Sequence, residues 1–177
     1  MIPMNIRNTT KHTNGQIFLS KSTLIIHCYL LDHSYFKYHV MKEILTALMI
    51  WLGANTSLST NFDTPRVIFL PQQQLEQMFY GDNEHLPDAL HGMYHKDQDT
   101  IYLPDTWDRR SAWDMGVLVH EMVHYLQDMN EMKFNCSQEM EKMAWPIQHK
   151  YLKQEHNYDW DYDKLWFTMV SNCLNGF

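Results

Sequence analysis

Cysteine is scarce in this chain, with three residues, Cys28, Cys136 and Cys173, among 177. So few and so widely separated cysteines exclude a disulfide-rich scaffold and a cysteine-rich zinc module. The number is compatible with one disulfide plus a free thiol and equally with a fully reduced set. Cysteine content therefore does not assign the protein to a cellular compartment.

Basic residues and long apolar runs are also limited. The chain has 14 Lys and Arg against 21 Asp and Glu, a formal net charge of −7, and no basic cluster that could follow a phosphate backbone. We therefore expect no nucleic-acid partner. The longest uncharged apolar stretch, residues 44–54, is too short to span a bilayer, so we expect a soluble protein without a membrane span.

The chain shows no internal repeat, low-complexity tract or Gly/Ser linker, which favours a single domain. We assign residues 36–177 to that domain and residues 1–35 to an N-terminal extension. The extension is either disordered or a weak export signal, because its apolar stretch at 23–31 is short and interrupted by a histidine. Residues 38–54 have apolar side chains at helical spacing and predict a buried helix.

Residues 120–124 read His-Glu-Met-Val-His, the HExxH pattern. Because His120 and His124 are four apart, their imidazoles share one face of a helix and can bind one zinc ion. Glu121 lies about 100° round the helix, where its carboxylate can take a proton from the water that attacks a carbonyl. The pattern predicts two metal ligands and the general base of a metallopeptidase.

The sequence around this pattern predicts a helix over residues 111–129, since it contains no proline and one glycine. Ser111 and Asp114 approximate a capping box at its start. Apolar residues recur at helical spacing and predict a core-facing stripe formed by Leu118, Met122, Tyr125, Leu126 and Met129.

A catalytic zinc site needs a third protein ligand, and the next segment offers Glu139 and Glu141. The two are two residues apart and cannot both face one ion. Glu141 lies beside the apolar stripe of the segment, whereas Glu139 shares a side with lysines. We therefore predict Glu141 as the third ligand, with small Ala144 allowing the two helices to approach closely. The alternative is that both glutamates are solvated surface charges.

The HEMVH pattern followed by Glu141-x-x-Ala144 resembles the gluzincin arrangement of zinc metallopeptidases, seen also in thermolysin-like and ImmA/IrrE-type enzymes. More closely, the stretch from Pro65 to Gln148 is similar to small, largely uncharacterised zinc peptidases of domain-of-unknown-function type. The resemblance implies an α+β, zincin-like domain with a small antiparallel sheet before the HExxH helix and a second, ligand-bearing helix. It also implies Zn²⁺ as the cofactor and a peptide or protein as the substrate.

Strands are expected before the HExxH helix, one at residues 67–70 and a hairpin from residues 92–95 and 100–103. In gluzincins the strand that precedes this helix pairs with extended substrate, so the resemblance implies that Thr100, Ile101 and Tyr102 bind substrate. The alternative is that this strand belongs to the core.

Two positions depart from the thermolysin-like pattern. Trp145 stands where those enzymes have an aspartate that orients a ligating histidine, so Asp128, Gln127 or a backbone carbonyl would have to do this here. Pro146 predicts a kink or a split of the second helix near residue 145.

Family practice also suggests a tyrosine or histidine that stabilises the transition state. Candidates by position are His149, Tyr151, His156 and Tyr158.

Two other functions remain open on sequence grounds. In the first, the same ligands bind zinc in a non-catalytic interaction or regulatory domain, with no open position on the metal. In the second, HExxH is fortuitous and the chain is an acidic interaction domain without a metal.

Overall fold

The computed structural model describes residues 39–81 and 90–173 and has an α+β fold, as predicted. The expected N-terminal extension, residues 1–35, lies outside the described residues. In chain order the elements are α1 (39–55), β1 (Arg66–Leu70), α2 (Gln72–Tyr80), β2 (Met93–His95), β3 (Thr100–Pro104), α3 (Ala112–Met129), α4 (Glu141–His156) and α5 (Lys164–Val170).

The three strands form one mixed sheet in the order β1-β3-β2. β2 and β3 make the predicted antiparallel hairpin, with Met93 opposite Tyr102. β1, also found where predicted, pairs with β3 in parallel, so the expectation of an entirely antiparallel sheet is wrong. The physical reason is that β2 runs opposite to both of the other strands, so the hairpin between β2 and β3 reverses the chain once more and leaves β3 parallel to β1.

β3 lies at the centre of the sheet, with β1 and β2 bonded to its two edges. All five of its residues are buried, and Thr100 and Ile101 are completely inaccessible. The Thr100 hydroxyl donates to the Gln98 carbonyl oxygen at 2.7 Å and accepts from Arg66. The predicted pairing of substrate with Thr100, Ile101 and Tyr102 is therefore wrong, and the core-strand alternative applies.

α3 forms the centre of the hydrophobic core, with twelve buried residues among its eighteen. Eight of the twelve are apolar side chains of the core, and their removal from water stabilises the fold. The predicted stripe is found, and its fully buried members include Leu118, Met122 and Leu126. Buried apolar side chains of α1, among them Leu45 and Leu52, belong to the same core, which confirms the predicted helix at 38–54 within its described part.

Small residues let α4 approach α3 closely. A Cβ added to Gly116 would lie 2.8 Å from a methyl of Leu152, and Ala144 is completely buried. The two helices therefore pack at a distance that larger side chains would prevent.

α4 is one continuous helix that contains Pro146, so the split alternative near residue 145 is wrong. Pro146 lies on the exposed face. Its missing N–H leaves the carbonyl of exposed Lys142 to water rather than to the core, which explains why the helix tolerates it.

The end of the described chain is joined to the segment before α4. Asp163 caps α5, its carboxylate accepting from the backbone N–H groups of Leu165 and Trp166. A disulfide links Cys136 to Cys173, 37 residues apart in sequence.

Of the helices in residues 39–81 and 90–173, none is long and apolar enough to cross a membrane.

Candidate metal centre

His120 and His124 lie in the middle of α3, one turn apart and near its packed face. The helix begins where Ser111 caps it, its hydroxyl accepting from the Asp114 N–H at 3.2 Å. The two imidazole rings stand 4.7 Å apart at 82°. Their Nε2 atoms are 3.0 Å apart, so both rings present the same nitrogen to one point.

Glu141 completes the group from the first turn of α4. Its two carboxylate oxygens lie 3.2 Å from the Nε2 atoms of His120 and His124. One ligand atom from each of the three residues fits within a separation of 4.8 Å, so the group could hold a metal ion. The structure thus brings the three predicted ligands together.

Glu139 has a different role, as predicted from its position. Its carboxylate accepts from the Asn135 backbone N–H at 2.9 Å and pairs with Lys142 at 3.2 Å. These contacts close the turn before α4 and lower the pKa of Glu139, with the Asn135 hydrogen bond contributing most. Glu139 stabilises the turn from which Glu141 extends.

Each imidazole is contacted on its far side by the side-chain amide of one glutamine. Gln127 Oε1 lies 2.9 Å from Nδ1 of His124, and Gln148 Oε1 lies 3.0 Å from Nδ1 of His120. Both glutamines are buried. Gln127 was among the sequence-based candidates for this task. Gln148 was not, although its position two turns after Glu141, on the same face of α4, indicates that it lies near the ligands.

These contacts suit the group to a cation. An amide oxygen can only accept, so each Nδ1 carries a proton, and a ring without a proton on Nε2 directs the lone pair of that atom toward the shared point. Two such lone pairs 3.0 Å apart repel unless a positive centre lies between them. Glu141 Oε2 is also buried and receives no hydrogen bond from any described residue. Two imidazoles and a carboxylate thus fit a divalent metal.

The pKa shifts of the metal-free group also indicate a site that favours a cation. Burial alone would lower the pKa of His124, but the adjacent Glu141 and Glu121 carboxylates raise it to about 9. Burial raises the pKa of Glu141, yet the two histidines beside it lower it well below the usual carboxyl range. The site therefore attracts positive charge.

Glu121 lies beside the ligands with its carboxylate held at the edge of the sheet. Its Oε2 accepts from the backbone N–H of Tyr94, in β2, at 2.7 Å, and the residue is 7% exposed. Gly92 makes this approach possible, because a Cβ there would lie 2.8 Å from Val117 and 3.1 Å from Cγ of Glu121. The absence of a side chain at Gly92 and the N–H of Tyr94 at the sheet edge together fix where the Glu121 carboxylate lies.

The phenol of Tyr94 ties the same strand to α3. Its hydroxyl donates to Asp128 at 3.0 Å, and Lys96 pairs with the other oxygen of Asp128 at 2.6 Å. Burial and the Asp128 contact raise the pKa of Tyr94 well above its usual value. The tyrosine thus stays protonated and acts as a fixed link between β2 and α3.

The ligands and Glu121 open into a cleft of about 740 Å³. β2 borders one side, and the segment between α3 and α4 borders another. Half of the fourteen other lining residues are apolar: Phe79, Leu90, Met93, Met132, Phe134, Met140 and Val170. A cleft of this size accommodates an extended organic ligand next to the metal ligands.

The four suggested transition-state residues are not among the described residues that line this cleft. Tyr151 packs edge-to-face against Trp51, and His149 lies 3.7 Å from a carboxylate oxygen of Asp159. His156 and Tyr158 lie at and beyond the end of α4. The described lining of the cleft thus gives no support to the suggestion based on position along the chain.

Comparison with known proteins gave a family match over residues 37–175. No curated protein and no solved structure matched the chain. The match confirms the predicted similarity to an uncharacterised family, while the likeness to gluzincins stays a prediction. Because the match covers most of the sequence, the protein belongs to the family described as domain of unknown function (DUF6647).

Proposed function

We propose that this protein is a zinc-dependent metallopeptidase that hydrolyses peptide bonds. The observation that carries the proposal is the meeting of His120, His124 and Glu141 within 4.8 Å, at a cleft that also contains the Glu121 carboxylate. A ligand group and a neighbouring base in one cleft are the two components that hydrolysis of an amide requires.

Zinc is the metal that the donors favour. Two imidazole nitrogens and one carboxylate oxygen form the His₂Glu set of catalytic zinc sites, which leave a fourth position open. In residues 39–81 and 90–173 the group contains three donors. This supports a catalytic site over a structural one, since a structural site would be closed by a fourth protein ligand.

Each protein residue then has a defined task. Bound zinc would polarise the scissile carbonyl and lower the pKa of a water molecule. Glu121 accepts the proton of the attacking water and delivers it to the leaving amine. Its Oε2 is held by the Tyr94 N–H, so Oε1 is the oxygen left to exchange that proton. Gln127 and Gln148 keep both imidazoles in the tautomer that binds metal.

We assign the substrate to the cleft between β2 and the turn that precedes α4. β2 is an edge strand, and its residues Met93 and Tyr94 line the cleft. The apolar lining favours a peptide with apolar side chains near the scissile bond. Strand β3 takes no part, because both its edges are already paired.

The test compares the wild type with Glu141→Gln, Glu139→Gln and Glu121→Gln for zinc content and for cleavage of a peptide library. We expect about one zinc per chain in all but Glu141→Gln, because the other two positions do not ligate. Glu121→Gln should lower turnover by about 10²–10⁴ while retaining zinc.

Three results would contradict the proposal in distinct ways. No zinc in a folded, reconstituted wild type would overturn the metal site. Full zinc in Glu141→Gln would exclude Glu141 as the third ligand. Wild-type turnover in Glu121→Gln would exclude Glu121 as the base.

A further inference from the structure

Gln127 is a buried side chain that contacts both ligand-bearing segments. It is completely inaccessible and lies three residues after His124, near the end of α3. Its Oε1 lies 2.9 Å from Nδ1 of His124, and its Nε2 donates to the carbonyl oxygen of Met140 at 2.9 Å. Met140 directly precedes Glu141.

The hydrogen bond to Met140 determines which end of the Gln127 amide faces His124. The Met140 carbonyl can only accept, so it fixes the NH₂ end of the amide. The amide oxygen must then face His124, whose Nδ1 therefore carries the proton. The remaining nitrogen, Nε2, lies 3.2 Å from Glu141 and is the atom whose lone pair a metal would bind once its proton is lost. The backbone of one ligand-bearing segment thus sets the tautomer of a ligand on the other.

The same amide also fixes the start of α4. The first residues of α4 receive no hydrogen bond from a capping side chain. The backbone carbonyl of Gln127 accepts from the Met132 N–H at 3.0 Å, which directs the chain out of α3. The backbone of residue 127 thus holds the exit from α3, and its side-chain amide holds the entry into α4.

We propose that Gln127 is the positioning residue that brings His124 and Glu141 to metal-binding geometry together. Gln148, by contrast, lies on α4 and orients His120 through one hydrogen bond. This inference rests on the metal site of the proposed function. It adds that the two helices are set relative to each other by an amide rather than by the metal alone.

The experiment compares Gln127→Glu with Gln148→Glu, two identical changes at the two buried amides. Both keep an oxygen that can accept from a histidine Nδ1–H. Only Gln127→Glu loses an N–H donor to a backbone carbonyl and places a carboxylate oxygen against the Met140 carbonyl. Gln127→Met is a second variant, which removes both contacts without burying a charge.

Zinc affinity is measured by competition with a chromophoric chelator, and the visible spectrum of the Co²⁺-substituted protein reports ligand geometry. We expect Gln127→Glu and Gln127→Met to bind zinc about 10–100-fold more weakly than the wild type, with a changed Co²⁺ spectrum. Gln148→Glu should lose clearly less zinc affinity than Gln127→Glu and change the Co²⁺ spectrum less, since its one histidine contact survives.

Melting in the presence of a chelator separates positioning from folding. A purely structural role predicts that the Gln127 variants lose stability without metal while their Co²⁺ spectrum stays unchanged, and this would overturn the inference. Equal zinc affinity for Gln127→Glu and Gln148→Glu would also overturn it. A wild type that binds neither metal would overturn the proposed function and the inference together. If the wild type binds both metals, a contrary result with the Gln127 variants would overturn the inference without affecting the metal site.

Discussion

The smallest residue at the site has one of the most restrictive positions. Gly92 lies just before β2, with its Cα against α3 where Val117 and Glu121 project. An added methyl group would come within 2.8 Å of Val117, closer than packed atoms tolerate, and within 3.1 Å of Glu121 Cγ, which would have to move by a few tenths of an ångström. The strand and the base can share this space only because the side chain is absent.

Gly92→Ala should therefore displace Glu121 while leaving the ligands in place. We expect zinc content to stay near that of the wild type and kcat/KM to fall by up to about 10-fold, because a shift of about 1 Å in a catalytic group costs about 10² in rate and this shift is smaller. Zinc analysis and peptide hydrolysis on one preparation measure both. Gly53→Ala is the matched control, as it crowds Thr60. Unchanged kcat/KM in Gly92→Ala would show that the Glu121 position does not depend on this contact.

Residues whose contacts lie within one helix could be predicted from sequence. The spacing of His120 and His124 is a property of α3 itself, and the choice of Glu141 followed from which face of α4 is apolar. The bond between Gln148 and His120 joins residues 28 apart in sequence, on different helices. Helical periodicity places Gln148 on the correct face, but the identity of its partner depends on how closely the helices approach.

At the level of elements, the positions of the strands could be predicted from sequence, but their order in the sheet could not. The positions of β1, β2 and β3 follow from short apolar runs and the turn between the last two. Their order does not, because β1 could pair with either edge of the hairpin. β1 pairs with β3 and buries it, which leaves β2 as the strand at the cleft. The wrong assignment of Thr100, Ile101 and Tyr102 follows from this one undetermined choice.

The disulfide connects two elements that both form the cleft. Cys136 precedes the turn Ser137–Met140, and Cys173 follows α5, whose Val170 lines the cleft. Closing a loop of 37 residues restricts the unfolded chain and stabilises the fold by about 4 kcal/mol in the chain-entropy treatment. The cross-link also holds the segment that leads directly into Glu141.

Cys173→Ser should therefore lower both stability and zinc affinity. We expect the melting temperature to fall by about 8–16 °C, taking about 2–4 °C per kcal/mol for a chain of this size. Thermal melting and zinc competition measure the two effects, with thiol counting to verify the cross-link in the wild type. Treating the wild type with a dithiol reductant should reproduce both changes. If reduction leaves melting unchanged, the cross-link contributes nothing to the fold.

For the whole molecule, the ligand group lies where the main parts of the core meet. His120 and His124 belong to α3, which packs against the sheet and against α4, while Glu141 belongs to α4. An ion bound by all three would cross-link the two central helices. Unfolding separates those helices and destroys the site, so metal binding and global stability must be coupled.

Removing the metal should therefore lower the melting temperature of the whole protein. With free zinc at about 100 times its Kd, binding stabilises the native state by about 2.7 kcal/mol. For a chain of this size that corresponds to about 5–10 °C, measured by melting with zinc and with excess chelator. Glu141→Gln should show almost no difference between the two conditions, and Glu139→Gln should behave like the wild type. A wild type that melts at one temperature in both conditions would mean that no ion joins the two helices.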